Sequence, residues 1–93
     1  MNRVMVKHYD IRVSGRVQGI YFRMAAKELA LRLRLAGHVK NEPDGSVSLA
    51  VEGETAALDA FAAWCRRGPE QATVKEVTVA DGPISGTRSF RIL

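Results

Sequence analysis

The chain is poor in cysteine and proline, with one and three respectively, and it has no long apolar run. A lone thiol, Cys65, cannot close an internal disulfide, which suits a reducing compartment. Nothing approaches the roughly 18 consecutive apolar residues that a membrane span needs. The opening, MNRVMVKHYDIRV, lacks the apolar block and small-residue cleavage site of a secretory leader. A cytoplasmic protein with no membrane partner is therefore expected. The only histidines, His8 and His38, lie thirty residues apart, and no His, Cys, Asp or Glu cluster has ligand spacing. No metal and no other cofactor is expected.

What is present is a length of 93 residues with 46% apolar content, enough for a single domain over residues 1–93 with a modest core. A monomer is the default expectation. Basic residues outnumber acidic ones 14 to 10, for a net charge of +4. They are dispersed, Arg16, Arg23, Lys27, Arg32, Arg34, Lys40, Arg66, Arg67, Arg88 and Arg91 among them, with no like-charge run longer than two. That pattern reads as ordinary solvated charge rather than a nucleic-acid-binding tail.

The periodicity gives an order of elements. From Tyr9 to Val17 the odd positions are apolar apart from Gly15, and the even positions are polar, so this is a strand with one buried face. After Gly19 the spacing turns helical, with Phe22, Ala26, Leu29 and Leu33 on one stripe and Gly37 as a natural stop. HVKN and SVSLAVE flank EPDG, a hairpin whose second strand turns Val47, Leu49 and Val51 inward. Thr55 is placed to cap a second helix, with Leu58, Phe61, Ala62 and Cys65 as its apolar stripe and Gly68-Pro69 at its end. A fourth strand covers about Thr73 to Ala80, with Val74 out of phase with Val77 and Val79, which implies a bulge near Lys75-Glu76. RSFRIL reads as a short edge strand with Phe90 and Ile92 facing in. Strand, helix, strand, strand, helix, strand is the α+β, ferredoxin-like sandwich: an antiparallel sheet with two helices on one face, here with a short extra C-terminal strand. The other face is expected to stay open to water. His8 and Asp44 read as a solvent-face strand residue and a turn residue with no evident partner, and Trp64 as packing.

The stretch VSGRVQGIYFR turns from a strand into a helix N-terminus, where unpaired N–H groups and the helix dipole favour an anion. Gly15 and Gly19 leave room for one to approach the backbone. Arg23, on the first helical turn, adds an always-ionised fork for two oxygens. It is no nucleotide P-loop, because the glycines are too close and Ile20 stands where that motif has lysine. Asn41 shares strand parity with Val39, so its amide faces the helix side at the strand end, where it can orient a water. The bland alternatives are a glycine-rich turn with a surface arginine, and an asparagine flanking a turn.

Two segments, VSGRVQGIYFR and GHVKNEPDGSVSLAVEG, resemble the signature segments of the acylphosphatase family. Val13, Gly15, Val17-Gln18-Gly19, Ile20, Phe22 and Arg23 fit the first pattern in register. Gly37, Val39, Lys40, Asn41, Gly45, Val47 and Gly53 fit the second. His38 departs from it, standing where the family usually has an aromatic residue. Its parity is opposite to that of Asn41, so the departure bears on packing rather than chemistry. The resemblance implies hydrolysis of a small-molecule acyl phosphate without a metal. The amides of about Arg16 to Ile20 (the loop Gly15, Arg16, Val17, Gln18, Gly19, Ile20) would hold the phosphate with Arg23, and Asn41 would position the water.

Three rival activities remain to be weighed. A non-catalytic anion-binding regulatory module would need the loop and Arg23 but not a water-orienting amide. Single-stranded RNA binding would want aromatics on the open sheet face, where the first strand instead presents His8, Asp10, Arg12 and Ser14. Cys65 directly precedes Arg66, without the spacer of a cysteine-phosphatase loop, and its place on an apolar stripe makes it a buried, inert thiol.

Overall fold

The computed structural model describes residues 5–93. Residues 1–4, the start of the stretch read for a leader, lie outside the described residues. The period-two stretch forms β1 (Val6–Arg16), followed by α1 (Phe22–Arg32), β2 (Ala36–Asn41), β3 (Val47–Glu54), α2 (Thr55–Cys65), β4 (Thr73–Gly82) and β5 (Phe90–Ile92). The strands lie side by side in the order β4-β1-β3-β2-β5. The first four pair antiparallel, while β5 joins the edge of β2 in parallel, so the sheet is mixed.

Registers decide which residues share a face. Ile11, Leu49 and Val39 lie in one row across β1, β3 and β2, and Val13, Val47 and Asn41 in the next such row. These valines and leucines are essentially fully buried, together with Phe22, Ala26 and Ala30 of α1 and Leu58, Phe61, Ala62 and Cys65 of α2. The α2 stripe is the one expected from spacing. An aromatic pair ties the helices together, with Phe22 and Trp64 centroids 5.2 Å apart, and Trp64 also packs on Phe61 of its own helix at 6.1 Å. Helix α1 rests over β2 and β5, and α2 over β1 and β3. Among the described residues no helix is long and apolar enough to cross a membrane.

Three local expectations are corrected. Helix α1 stops at Arg32, not at Gly37: Arg34 takes the left-handed conformation (φ 58°), and the Leu35 N–H donates to the Ala30 carbonyl at 2.8 Å. Gly37 lies inside β2, where a Cβ would sit 1.8 Å from the Ala50 carbonyl oxygen. Close backbone approach, not helix termination, requires glycine there. Thr55 is the first residue of α2 rather than its cap, and its hydroxyl donates to the Met5 carbonyl at 3.1 Å. Glu54 precedes the helix with no side-chain cap.

The bulge expected near Lys75 is present. Ser14 opposes Glu76 and Gly15 opposes Val74, which leaves Lys75 without a partner on β1. From the end of β4 the chain crosses to β5 at the far edge. On the way it passes over the open face, where Ser85 and Gly86 meet Glu52 of β3.

Candidate active site

The loop between β1 and α1 starts from a buried anchor, Val17, which is 1% exposed. Gly19 follows with φ 73°, and a Cβ added there would meet nothing within 4 Å. Glycine is thus required for the left-handed backbone, and the space in front of it stays open. Tyr21 is also left-handed (φ 71°, ψ 13°), a conformation that costs a non-glycine residue on the order of 1–3 kcal/mol. It stands in the N-cap position of α1 without capping through its side chain, and the first turn holds no acidic residue. The Ala25 N–H donates to the Tyr21 carbonyl at 3.1 Å. The amides of Phe22, Arg23 and Met24 precede that bond, so they and the helix dipole present positive potential with no built-in anion to cancel it.

Asn41 reaches this loop through the sheet. Its neighbour across β3 is Val47, which in turn faces Val13 of β1, two residues before Gly15. The side chain of Gln18 closes the gap, donating from Nε2 to the Glu42 carbonyl at 2.8 Å and to the Ser46 carbonyl at 2.9 Å. The loop is thereby tied to the turn that follows Asn41. That turn is itself braced: Asp44 Oδ1 accepts from the Ser46 N–H at 2.9 Å and from its hydroxyl at 2.6 Å. These bonds to Ser46 hold the Asp44 carboxyl below its ordinary pKa. Arg12 Nη1 approaches Asp44 Oδ2 at 3.4 Å, giving Asp44 a partner that spacing did not reveal.

Arg23 and Asn41 line one cavity of about 160 Å³ together with Val17 and Gly19. Ordinary drug-sized sites run from about 300 to 1,000 Å³, so this one suits a small group. Among the described residues Asn41 Oδ1 is buried without a hydrogen-bond partner. Leaving such an acceptor unpaired costs about 1–3 kcal/mol, and an orphan of this kind calls for a ligand or a function. Among the described residues Arg23 has no ion pair, so its charge is uncommitted.

Of the loop residues expected to hold a phosphate, Val17, Gly19 and Arg23 line the cavity. Gly15, Arg16, Gln18 and Ile20 are not in its lining. Gly15 packs against β4 at the bulge, where a Cβ would come within 2.2 Å of the Thr73 carbonyl oxygen. The Gln18 side chain serves the turn, as above. Tyr21, Phe22, Met24 and Ile92 complete the lining. Tyr21, Met24 and Ile92 were not read as site residues from the sequence, because their neighbourhood depends on the loop's conformation and on the β5 pairing.

Known proteins share this sequence and fold. The acylphosphatase family model matches residues 9–92. The chain belongs to the acylphosphatase family. An acylphosphatase from Nocardioides sp. is 51% identical over 83 residues, covering 89% of this chain and 84% of that relative. Among solved structures, an acylphosphatase from Coxiella burnetii superposes with a TM-score of 0.93 at 32% identity over the whole of both chains. One from Bacillus subtilis gives 0.91 at 36% identity, covering 96% of this chain and 99% of that one. His38, the departure from the acylphosphatase pattern, lies on the open face opposite Ala50 and Arg91, away from the cavity.

A second polar cluster lies on that open face. Glu52, 6% exposed, accepts from His8 Nδ1 at 2.8 Å, the Ser85 N–H at 3.1 Å, the Ser85 hydroxyl at 3.0 Å and the Gly86 N–H at 2.8 Å. Burial works to raise its pKa, but these donors outweigh burial and hold the carboxyl down to about 2. For His8, burial disfavours the charged ring, and the bonds to Glu52 and to Asp10 (2.8 Å from Nε2) overcome it and raise the pKa. His8 is therefore a bridge between two carboxylates rather than a plain solvent-face residue. Cys65, fully buried, has its thiol pushed up to about 12 by desolvation, which removes it as a nucleophile at neutral pH.

Proposed function

We propose that this chain hydrolyses acyl phosphates to a carboxylate and inorganic phosphate in the cavity between Arg23 and Asn41. The observation that carries the reading is the buried, unpartnered Oδ1 of Asn41 beside an uncommitted guanidinium. Arg23 takes two phosphoryl oxygens through its fork. Amides of the loop around Val17 and Gly19, which line the cavity, and of the first turn of α1 take the rest of the charge. A water donates a hydrogen bond to Asn41 Oδ1, keeping its proton, and so turns a lone pair toward phosphorus. The new bond forms from the water oxygen to phosphorus as the bond from phosphorus to the acyl oxygen breaks, and its electron pair leaves with the carboxylate.

This sparse equipment fits the substrate. A departing carboxylate is a weak base with a pKa near 4, so no general acid is needed. The remaining work is positioning and neutralising charge on the equatorial oxygens. Asparagine is no base at neutral pH, so the water's proton goes to a phosphoryl oxygen or to solvent. Good leaving groups are served and alkyl monoesters are not. The same reading takes the chain as a single-domain, monomeric, cytoplasmic enzyme that needs no metal.

The test is phosphate release from acetyl phosphate in EDTA, for the parent, Arg23→Ala and Asn41→Ala. Turnover that survives EDTA and is lost in both variants, with Asn41→Ala still binding inorganic phosphate, supports the hydrolase. Phosphate binding with no turnover in the parent would mark an anion-binding module instead.

A further inference from the structure

Helix α1 begins on a residue whose backbone is strained. Tyr21 is left-handed (φ 71°, ψ 13°), and for a bulky side chain that conformation is an outlier. Gly19, two residues earlier, takes nearly the same φ (73°) without strain. A strained residue persists only where its surroundings hold it. Core packing does not hold Tyr21, which is 59% exposed. Two hydrogen bonds do. Its carbonyl accepts from the Ala25 N–H at 3.1 Å, and its hydroxyl donates to Glu28 Oε1 at 2.6 Å.

The second bond spans two helical turns, a rise of about 11 Å. Side chains on a helix lean toward its N-terminus, so Glu28 reaches back along α1 as the Tyr21 ring reaches forward. Lys27 beside Glu28 and Arg32 one turn on make no ion pair with it among the described residues, which leaves its carboxylate to the phenol. The same bond raises the Tyr21 pKa and keeps the hydroxyl a donor at neutral pH. Tyr21 is thus pinned through backbone and ring, and it sets the direction in which the chain enters α1. Phe22, Arg23 and Met24 follow directly, and all three line the cavity with Tyr21. As a charge, Glu28 opposes an anion bound there. As an acceptor, it shapes the place where the anion sits.

We propose that Glu28 is a positioning residue: by accepting from the Tyr21 hydroxyl it locks the left-handed start of α1, which keeps Arg23 and the amides of Phe22, Arg23 and Met24 aimed at the phosphoryl group. This rests on the hydrolase reading above. Without the clasp Tyr21 relaxes toward negative φ, the first turn swings, and the guanidinium and amides no longer converge beside Asn41. Catalysis by positioning is sensitive to such shifts.

The experiment measures kcat/KM for acetyl phosphate and, separately, the Kd of inorganic phosphate by titration calorimetry. The proteins are the parent, Glu28→Ala, Glu28→Gln and Tyr21→Phe. Glu28→Ala and Tyr21→Phe each remove the bond, and each should weaken phosphate binding and lower kcat/KM by about three- to tenfold, the effect of one hydrogen bond. Glu28→Gln keeps an acceptor oxygen and should retain most of both. Tyr21 and Glu28 are exposed, so melting temperatures should stay near the parent's, which separates aim from folding. A further pair removes the strain itself. Tyr21→Gly adopts the left-handed conformation freely, so adding Glu28→Ala to it should leave phosphate affinity where Tyr21→Gly alone puts it. Unchanged or tighter phosphate in Glu28→Ala, the result that charge alone gives, overturns the clasp. So does a full Glu28→Ala effect in the Tyr21→Gly background, and both outcomes leave the hydrolase standing. No phosphate release by the parent overturns the hydrolase, while the calorimetry still decides the clasp.

Discussion

Two polar centres sit on opposite faces of the same sheet, and they are finished to different degrees. Around Glu52 every strong acceptor is used: four donors converge on one buried carboxylate, and His8 is bonded at both ring nitrogens. Around Asn41 the chain stops short: among the described residues a buried oxygen is unpartnered, a guanidinium has no ion pair and a helix start has no side-chain cap. The first arrangement holds elements together. The second keeps bonding capacity in reserve, at a cost in stability that only a ligand repays. Where polar groups are buried, their degree of satisfaction separates scaffold from site.

The contrast breaks most visibly at Arg23. Arg23→Ala should lower kcat/KM for acetyl phosphate by about 10²–10³-fold, or roughly 3–4 kcal/mol of transition-state stabilisation. Its melting temperature should stay near the parent's, since no ion pair is lost. Asn41→Ala should cost about 10²-fold in kcat while holding or raising stability, because an unpaired buried acceptor disappears. A melting temperature that fell sharply in Asn41→Ala would count against the idea that the site is held in reserve.

Glu52→Gln should do the opposite. It replaces an acceptor with a donor that faces backbone N–H groups, so stability falls by on the order of 2–3 kcal/mol while kcat of the folded protein persists. The sign of the pH dependence follows. Glu52 has a depressed folded pKa, so its stabilisation is present above about 4.5 and is lost as pH falls toward about 2. His8 has a raised pKa, so its share is full below 6.5 and is lost as pH rises through its folded value. Melting temperature against pH should lose most of its acid limb in Glu52→Gln, and an unaltered limb would assign acid unfolding to other carboxylates. The smallest effect belongs to Gln18→Ala, which cuts the two bonds between loop and turn. It should cost about 1–2 kcal/mol of stability and a few-fold in kcat/KM, and no loss of either would remove Gln18 as the tie.

Features set by near neighbours in sequence were legible. The alternation in β1, the stripe on α2, the bulge at Lys75 and the parity that turns Asn41 toward the helices all follow from local spacing. Features set by distant pairing were hidden. His8 and Glu52 lie 44 residues apart, and Glu52 and Ser85 lie 33 apart, so nothing local announces their contact. Ile92 enters the cavity only because β5 joins β2 in parallel. The end of α1 was misplaced because Arg34 takes a conformation usually left to glycine, while Gly37, the obvious stop, was required by the strand beside it. Tyr21 hid in the same way, since a strained aromatic residue gives no sign in the letters.

The connection from β4 to β5 has little slack. Four inter-strand gaps of about 4.8 Å separate the two edges, close to 19 Å in all. The backbone from Gly82 to Phe90, at about 3.3–3.6 Å per residue, reaches some 26–29 Å when drawn straight. Because Glu52 grips it midway, shortening it by two residues would draw it almost taut, and trimming further would pull Ile92 out of register with Val39. Lengthening it would leave the span intact. The tether therefore works as a ruler, tolerant of additions and intolerant of cuts.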